Sequence, residues 1–133
     1  MSGASRTIPV RDESDLTAAL LATGEAARRA GFDEKGRNAL MTVVSELARN
    51  VIKYASDGRV TLTAIGGGDR RGLEVVVTDR GPGIADVGQA MQDHFSTGGS
   101  LGLGLPGAKR LMDEFEITST PGRGTRVVAR KWA

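Results

Sequence analysis

The sequence predicts one α+β domain of two layers, a mixed and mostly antiparallel sheet with helices packed on one face. Three observations predict it. Two apolar periodicities of helical spacing occupy 13–31 and about 34–55, and strand-like segments then come in pairs joined by glycine turns. The stretch LEVVVTD (73–79) has apolar residues at consecutive positions, the pattern of a central strand covered on both faces. No internal repeat or linker divides the chain, so 1–133 is expected to be a single unit.

The elements follow in order. RTIPV (6–10) is an edge strand, because Pro9 lacks the N–H a central strand would use. Residues 13–31 place Leu16, Ala19, Leu20, Ala26, Ala27 and Ala30 at helical spacing and stop at Gly31. A second helix runs from about 34 to 55, with Leu40, Val43, Val44, Leu47, Val51 and Tyr54 on one apolar arc. VTLTAI (60–65) and LEVVVTD are two strands joined by the turn GGGDRRG. Residues 80–100 hold at most one short helix (86–93). A helix beginning near Leu103 follows, and FEITST and RVVARKW close the chain as a hairpin around PGRGT.

Composition removes several functions. With no cysteine in 133 residues, a disulfide framework, a thiolate zinc site and a Cys nucleophile are excluded. The lone His94 has no second imidazole near it to form a metal site. No apolar run approaches the roughly 18 residues a membrane span needs, and a cytoplasmic protein is expected. A net charge of +2 gives no argument for nucleic acid, and Arg123, Arg126, Arg130 and Lys131 are expected on a solvated strand face. Glycine is the outlier: nineteen residues, about twice the usual share of roughly 7%. Most of them border periodic segments, where glycine makes tight turns or admits a ligand close to the backbone.

GLGLPGAKRL (102–111) satisfies G-x-G-x-x-G and nearly makes a Walker A loop, and both matches fail on context. HFSTGGS before it cannot be the strand a dinucleotide fold requires, and no acid follows about 20 residues later. Ala108 stands where Walker A needs lysine, and Arg110 where it needs Ser or Thr. What remains is glycine ahead of a helix, where backbone N–H groups and the helix dipole favour an anion, with Lys109 and Arg110 in the first two turns. An ordinary capped helix explains the same residues equally well.

Two further clusters stand out. Asp79 closes the apolar row Leu73, Val75, Val77 and is followed by Gly81 and Gly83; such a carboxylate suits a pocket floor accepting from a flat heterocycle, and a local D-x-G turn also accounts for it. In SELARNVIKYA (45–55), Glu46, Asn50 and Lys53 share one flank of the helix within about 60°. They are expected at the core margin, with Arg49 on the solvent side. A polar surface stripe reads the same way, but a carboxylate, an amide and an ammonium there also match the needs of a metal-nucleotide site.

Taken jointly, Glu46-x-x-x-Asn50, Asp79-x-Gly81-x-Gly83, Gly102-x-Gly104 and Gly122-x-Gly124-Thr125 resemble the N box and three glycine boxes of the gyrase, histidine-kinase and MutL-type ATPases, whose domain is the Bergerat (GHKL) fold. The length matches their small serine-kinase branch, and SELARN, DRGPGI, HFSTGGSLGLGLPGAKRLMDEFEI, PGRGT and the ending KW are similar to the switch kinases of bacterial stressosomes. The resemblance implies ATP and Mg²⁺ as cofactors. It implies adenine recognition by Asp79, with Gly81, Gly83, Ile84 and Thr125 shaping that end, and magnesium ligation by Asn50. Thr97, Gly98, Gly99, Ser100, Leu101, Gly102, Leu103 and Gly104 would wrap the phosphates, with Lys53 nearby. Glu46 would be the general base toward a substrate serine. The implied partners are a STAS-domain antagonist as substrate, STAS co-antagonists in a large complex, and a PP2C-type phosphatase activated on release. An anti-sigma factor of the same fold and a non-catalytic, nucleotide-gated binding module are the two alternatives.

Overall fold

The structure is a computed structural model that describes residues 5–55, 57–81 and 104–133. Along the chain run β1 (Ser5–Val10), α1 (Glu13–Arg29), α2 (Glu34–Tyr54), β2 (Gly58–Gly67), β3 (Arg70–Asp79), α3 (Gly104–Leu111), β4 (Glu114–Thr120) and β5 (Gly124–Trp132). The strands form one sheet in the order β1-β2-β3-β5-β4. LEVVVTD is the central strand and RTIPV an edge, as their patterns imply. All four pairings are antiparallel, so among the described residues the sheet is not mixed. β3 and β4 run in the same direction, but β5 lies between them and pairs antiparallel with both, so the crossover from β3 to β4 creates no parallel pair.

Helix ends follow local chemistry. Asp12 caps α1 by accepting the Asp15 N–H at 3.0 Å, and Asp33 caps α2 by accepting that of Gly36 at 2.8 Å. At the other end of α1, Gly31 (φ 90°) donates to the Arg28 carbonyl and Phe32 to that of Ala27, a paired closure that needs the left-handed residue one place beyond the cap.

Ile8, Val10, Val60, Leu62, Leu73, Val75, Val77, Val127 and Ala129 all point to one sheet face and pack there against α1, α2 and α3. Each such side chain contributes about 1.5–3 kcal/mol by leaving water. From α2 the core takes Leu40, Val43, Val44, Leu47 and Val51. Tyr54 does not complete that arc: it is 41% exposed, because the helix has by then run past the sheet to its last residue. The opposite face is mostly polar, with Val76 and the buried Val128 paired at its centre. Ser5 meets Thr63 and Thr7 meets Thr61 through side-chain hydroxyls. Arg130 lies directly across from Glu74 and Glu114 on its two neighbouring strands and bonds both, at 2.8 and 3.2 Å. Of the four basic residues near the end, then, Arg123 and Arg126 are exposed, Arg130 is paired, and Lys131 turns to the helix side to donate to the Leu111 carbonyl at 2.9 Å.

Candidate functional site

The site is built where β3 ends. The β3–β5 register brings Thr78 opposite Arg126, so the next residue, Asp79, reaches Thr125. Its Oδ1 accepts the Gly81 N–H at 2.8 Å and the Thr125 N–H at 3.2 Å. The local D-x-G turn is therefore formed, and the same oxygen also reaches another strand 46 residues on. Two backbone donors fix the half-buried carboxylate in one orientation. Thr125 is held in turn through its hydroxyl, 2.9 Å from that of Ser119.

Glycine is obligatory at two points here. Gly124 has φ 117°, and a Cβ on it would fall on the Asp79 carbonyl. A Cβ on Gly81 would come within 2.8 Å of the Ala55 Cβ and 3.2 Å of the Tyr54 carbonyl. The turn after β3 thus lies against the C-terminal end of α2. The Arg80 N–H adds a bond to the Asp57 carbonyl at 3.1 Å. Asp57 and Ala55 were not legible as parts of this corner, since a backbone acceptor and a methyl group leave no sequence signature.

Two turns earlier on α2, Glu46 is buried, 6% exposed, and its Oε2 accepts the N–H of Gly104 at 3.2 Å. Gly104 (φ 68°) opens α3, so a buried carboxylate satisfies a first-turn donor and faces the positive end of the helix dipole. Asn50 is half-buried on the same flank, one turn (about 6 Å) beyond Glu46 and one turn before Tyr54. Lys53 is exposed, with Nζ 5.2 Å from the Tyr54 ring centre. The three flank residues therefore grade from core to solvent and do not share one depth. Arg49 points to solvent and donates to the Ser45 hydroxyl at 3.2 Å.

The flank of α2 from Glu46 to Ala55 accordingly touches both glycine segments, the one after β3 and the one opening α3. Of the expected site residues, Asp79, Gly81 and Thr125 meet at the C-terminal end of α2, Glu46 and Gly104 meet about two turns earlier, and Asn50 and Lys53 lie on the helix flank between and beside them. Gly83, Ile84, Thr97, Gly98, Gly99, Ser100, Leu101, Gly102 and Leu103 lie outside the described residues, as do the short helix expected at 86–93 and His94. Lys109 and Arg110 lie within the first two turns of α3, and because the helix has only eight residues both also fall in its last turn, exposed, where they complement its C-terminal dipole. Among the described residues, no group of three or more His, Asp or Glu side chains could hold a metal.

A two-layer α/β sandwich with a strand-end carboxylate, two glycine turns and a polar helix flank between them is the setting of the site, and the chain belongs to the histidine kinase-like ATPase domain family, whose model matches residues 8–131. The chain is similar to the serine/threonine-protein kinase RsbT of Bacillus subtilis, 41% identical over 125 residues that make up 94% of each protein. It is also similar to the anti-sigma F factor of a Thermoanaerobacter species, 36% identical over 99 residues, 70% of this chain and 68% of that one. Among solved structures, the crystal structure of the RsbU and RsbW domains of a Mycobacterium tuberculosis protein superposes with a TM-score of 0.66 at 19% identity, over 96% of this chain and 32% of that longer one. A mycobacterial sensor histidine kinase, MprB, gives 0.57 at 18% identity over 97% of both. At such identities the likeness is one of fold. No helix among the described residues is long and apolar enough to cross a membrane.

Proposed function

We propose that the chain is a magnesium-dependent serine kinase that uses ATP to phosphorylate a STAS-domain antagonist protein, and that activates a PP2C-type phosphatase when released from a complex with STAS co-antagonists. The kinase class itself follows from 41% identity with RsbT along nearly the whole of both chains. The finer reading rests on one observation above all, that α2 meets the β3 turn at one end of its polar flank and the start of α3 at the other.

The residues at this corner fit a nucleotide. Asp79, oriented by two backbone N–H groups, presents a carboxylate to an amino group such as that of adenine. Gly81 and Gly124 let the backbone close tightly around Asp79, and Thr125, with Gly83 and Ile84 by sequence, would line that end. Asn50 would supply the one protein ligand to magnesium, which accepts few protein ligands besides phosphate and water. Bound there, the ion would neutralise phosphate charge. Lys53 would face the phosphates, and the glycine-rich sequence 97–104 would offer them backbone donors.

Glu46 holds Gly104 through Oε2, which leaves Oε1 as the atom to take the proton of the serine hydroxyl as its oxygen bonds to the γ-phosphorus and the bond to the β–γ bridging oxygen breaks, releasing ADP. Phosphoryl transfer asks mainly for positioning and charge neutralisation, so a small site of this kind suffices. Incubating the chain with ATP, Mg²⁺ and a purified STAS-domain protein should produce phosphoserine detectable by mass spectrometry. No phosphate on the STAS protein, with ATP binding intact, would count against the kinase reading and favour a nucleotide-gated binding module or the sigma-binding role below.

The similarity to anti-sigma F factor supports a second reading, in which the chain sequesters a sigma subunit. Co-purification of a sigma factor with the chain would favour it over the phosphatase-activating role.

A further inference from the structure

A cleft of about 570 Å³ opens between the C-terminal half of α1 and the β2–β3 hairpin. It lies at the opposite end of the sheet from Asp79, since Arg71 is eight residues earlier on β3, roughly 25 Å at strand rise. Its origin is a shortage of side-chain volume. Where α1 crosses this corner it offers Ala22 and Ala26, and the hairpin offers Ala64 and a run of glycines, so the cleft has an apolar floor of small residues lying over the buried Leu62 and Leu73.

The rim is cationic. Arg6 and Arg71 sit on the helix-side face of β1 and β3, in the same rows as Ile8 and Leu73, and both line the cleft. Among the described residues, neither guanidinium has an ion pair or a side-chain hydrogen bond. Arg29 is also on the rim, but it is neutralised by Glu25 at 2.8 Å. An apolar floor beneath two uncompensated guanidiniums selects for carboxylates carried on an apolar body.

We propose that this cleft is a docking site for an acidic amphipathic segment of a protein partner, separate from the nucleotide corner. Inorganic phosphate would leave the apolar floor unused. Nucleic acid is disfavoured by the small net charge of +2. The volume lies in the range that accepts a few side chains from one face of a helix or extended segment. The site asks nothing of kinase chemistry, so it goes beyond the function proposed above and stands independently of it.

The test is amide chemical-shift mapping on the whole isotope-labelled chain. The probe is a synthetic peptide with leucines at helical spacing and glutamates between them. Saturable shifts at Ala22, Ala26, Leu62 and Arg71, and an affinity that falls with salt, are expected. The double variant Arg6→Glu/Arg71→Glu should weaken binding at least about tenfold. Ala26→Trp, which fills the cleft without changing charge, should abolish it, and both variants should keep wild-type spectra elsewhere. Asp79→Asn should bind the peptide normally, which separates failure of this inference from failure of the nucleotide site. The proposal is overturned if the peptide shifts no cleft amide, if its Lys-for-Glu counterpart binds equally well, or if phosphate or a duplex oligonucleotide shifts the same amides more strongly.

Discussion

Glu46 and Gly104, 58 residues apart, are joined by a hydrogen bond from the Gly104 N–H to Oε2 at 3.2 Å. The carboxylate assigned to proton abstraction thus also anchors the start of α3. The two duties separate by mutation. Glu46→Gln keeps an oxygen acceptor for Gly104 and loses the base, so phosphorylation should fall by about 10²–10⁴ with little change in melting temperature. Glu46→Ala strands the buried N–H as well and should cost about 1–3 kcal/mol of stability in denaturant titration. Full activity in the Gln variant would remove Glu46 from the reaction.

Asp79→Asn should unfold nothing. The amide oxygen can still accept from Gly81 and Thr125, while an NH₂ donor replaces the second carboxylate oxygen. Facing an amino group, that donor is mismatched, and ATP affinity by calorimetry should drop about tenfold or more. Asn50→Asp should keep the fold as well and eliminate phosphorylation, because the amide assigned to magnesium is replaced by an added negative charge beside the phosphates.

Gly124→Ala tests the backbone. Its φ of 117° and the collision of a Cβ with the Asp79 carbonyl both oppose any side chain. The strain alone is about 1–3 kcal/mol. Both melting temperature and ATP affinity should fall, since relief requires moving Asp79.

The Asp12 carboxylate is held below its ordinary value of 3.8, first by the Asp15 backbone N–H and then by the Ser14 hydroxyl. A carboxyl depressed in the folded state stabilises fully above its unfolded pKa and ceases to do so as pH falls through the folded one. The difference in stability between wild type and Asp12→Asn, which keeps a capping oxygen, should therefore be constant above about pH 5 and shift against the wild type below 3.8. A flat difference down to pH 2 would contradict the cap.

The element order was legible because each signal is local: Asp12 and Asp33 as caps, Gly31 as terminator, alternation in β2 and the apolar run of β3. Strand direction was less so, since the pairing of β5 between β3 and β4 depends on closure across the whole 80–124 stretch, which no local pattern encodes. At the site, helical spacing put Glu46, Asn50 and Lys53 on one flank but could not give their depth. That depends on α3 covering Glu46 and on the sheet ending before Tyr54. Likewise, Asp79 was legible as a turn former, whereas its bond to Thr125 required knowing which strand lies beside β3.

Trp132 is the only tryptophan, its ring lies over Gly66 and Gly72 with the Arg70 guanidinium 3.8 Å from its centre, and the only tyrosine, Tyr54, stands at the other end of the sheet against Gly81. Nature has thereby wired the molecule with two separate optical reporters. Indole emission should follow events at the hairpin, on the sheet face away from the helices, and stay silent when nucleotide binds, while phenol absorbance should do the reverse, so that the two ends can be watched in one cuvette without any label.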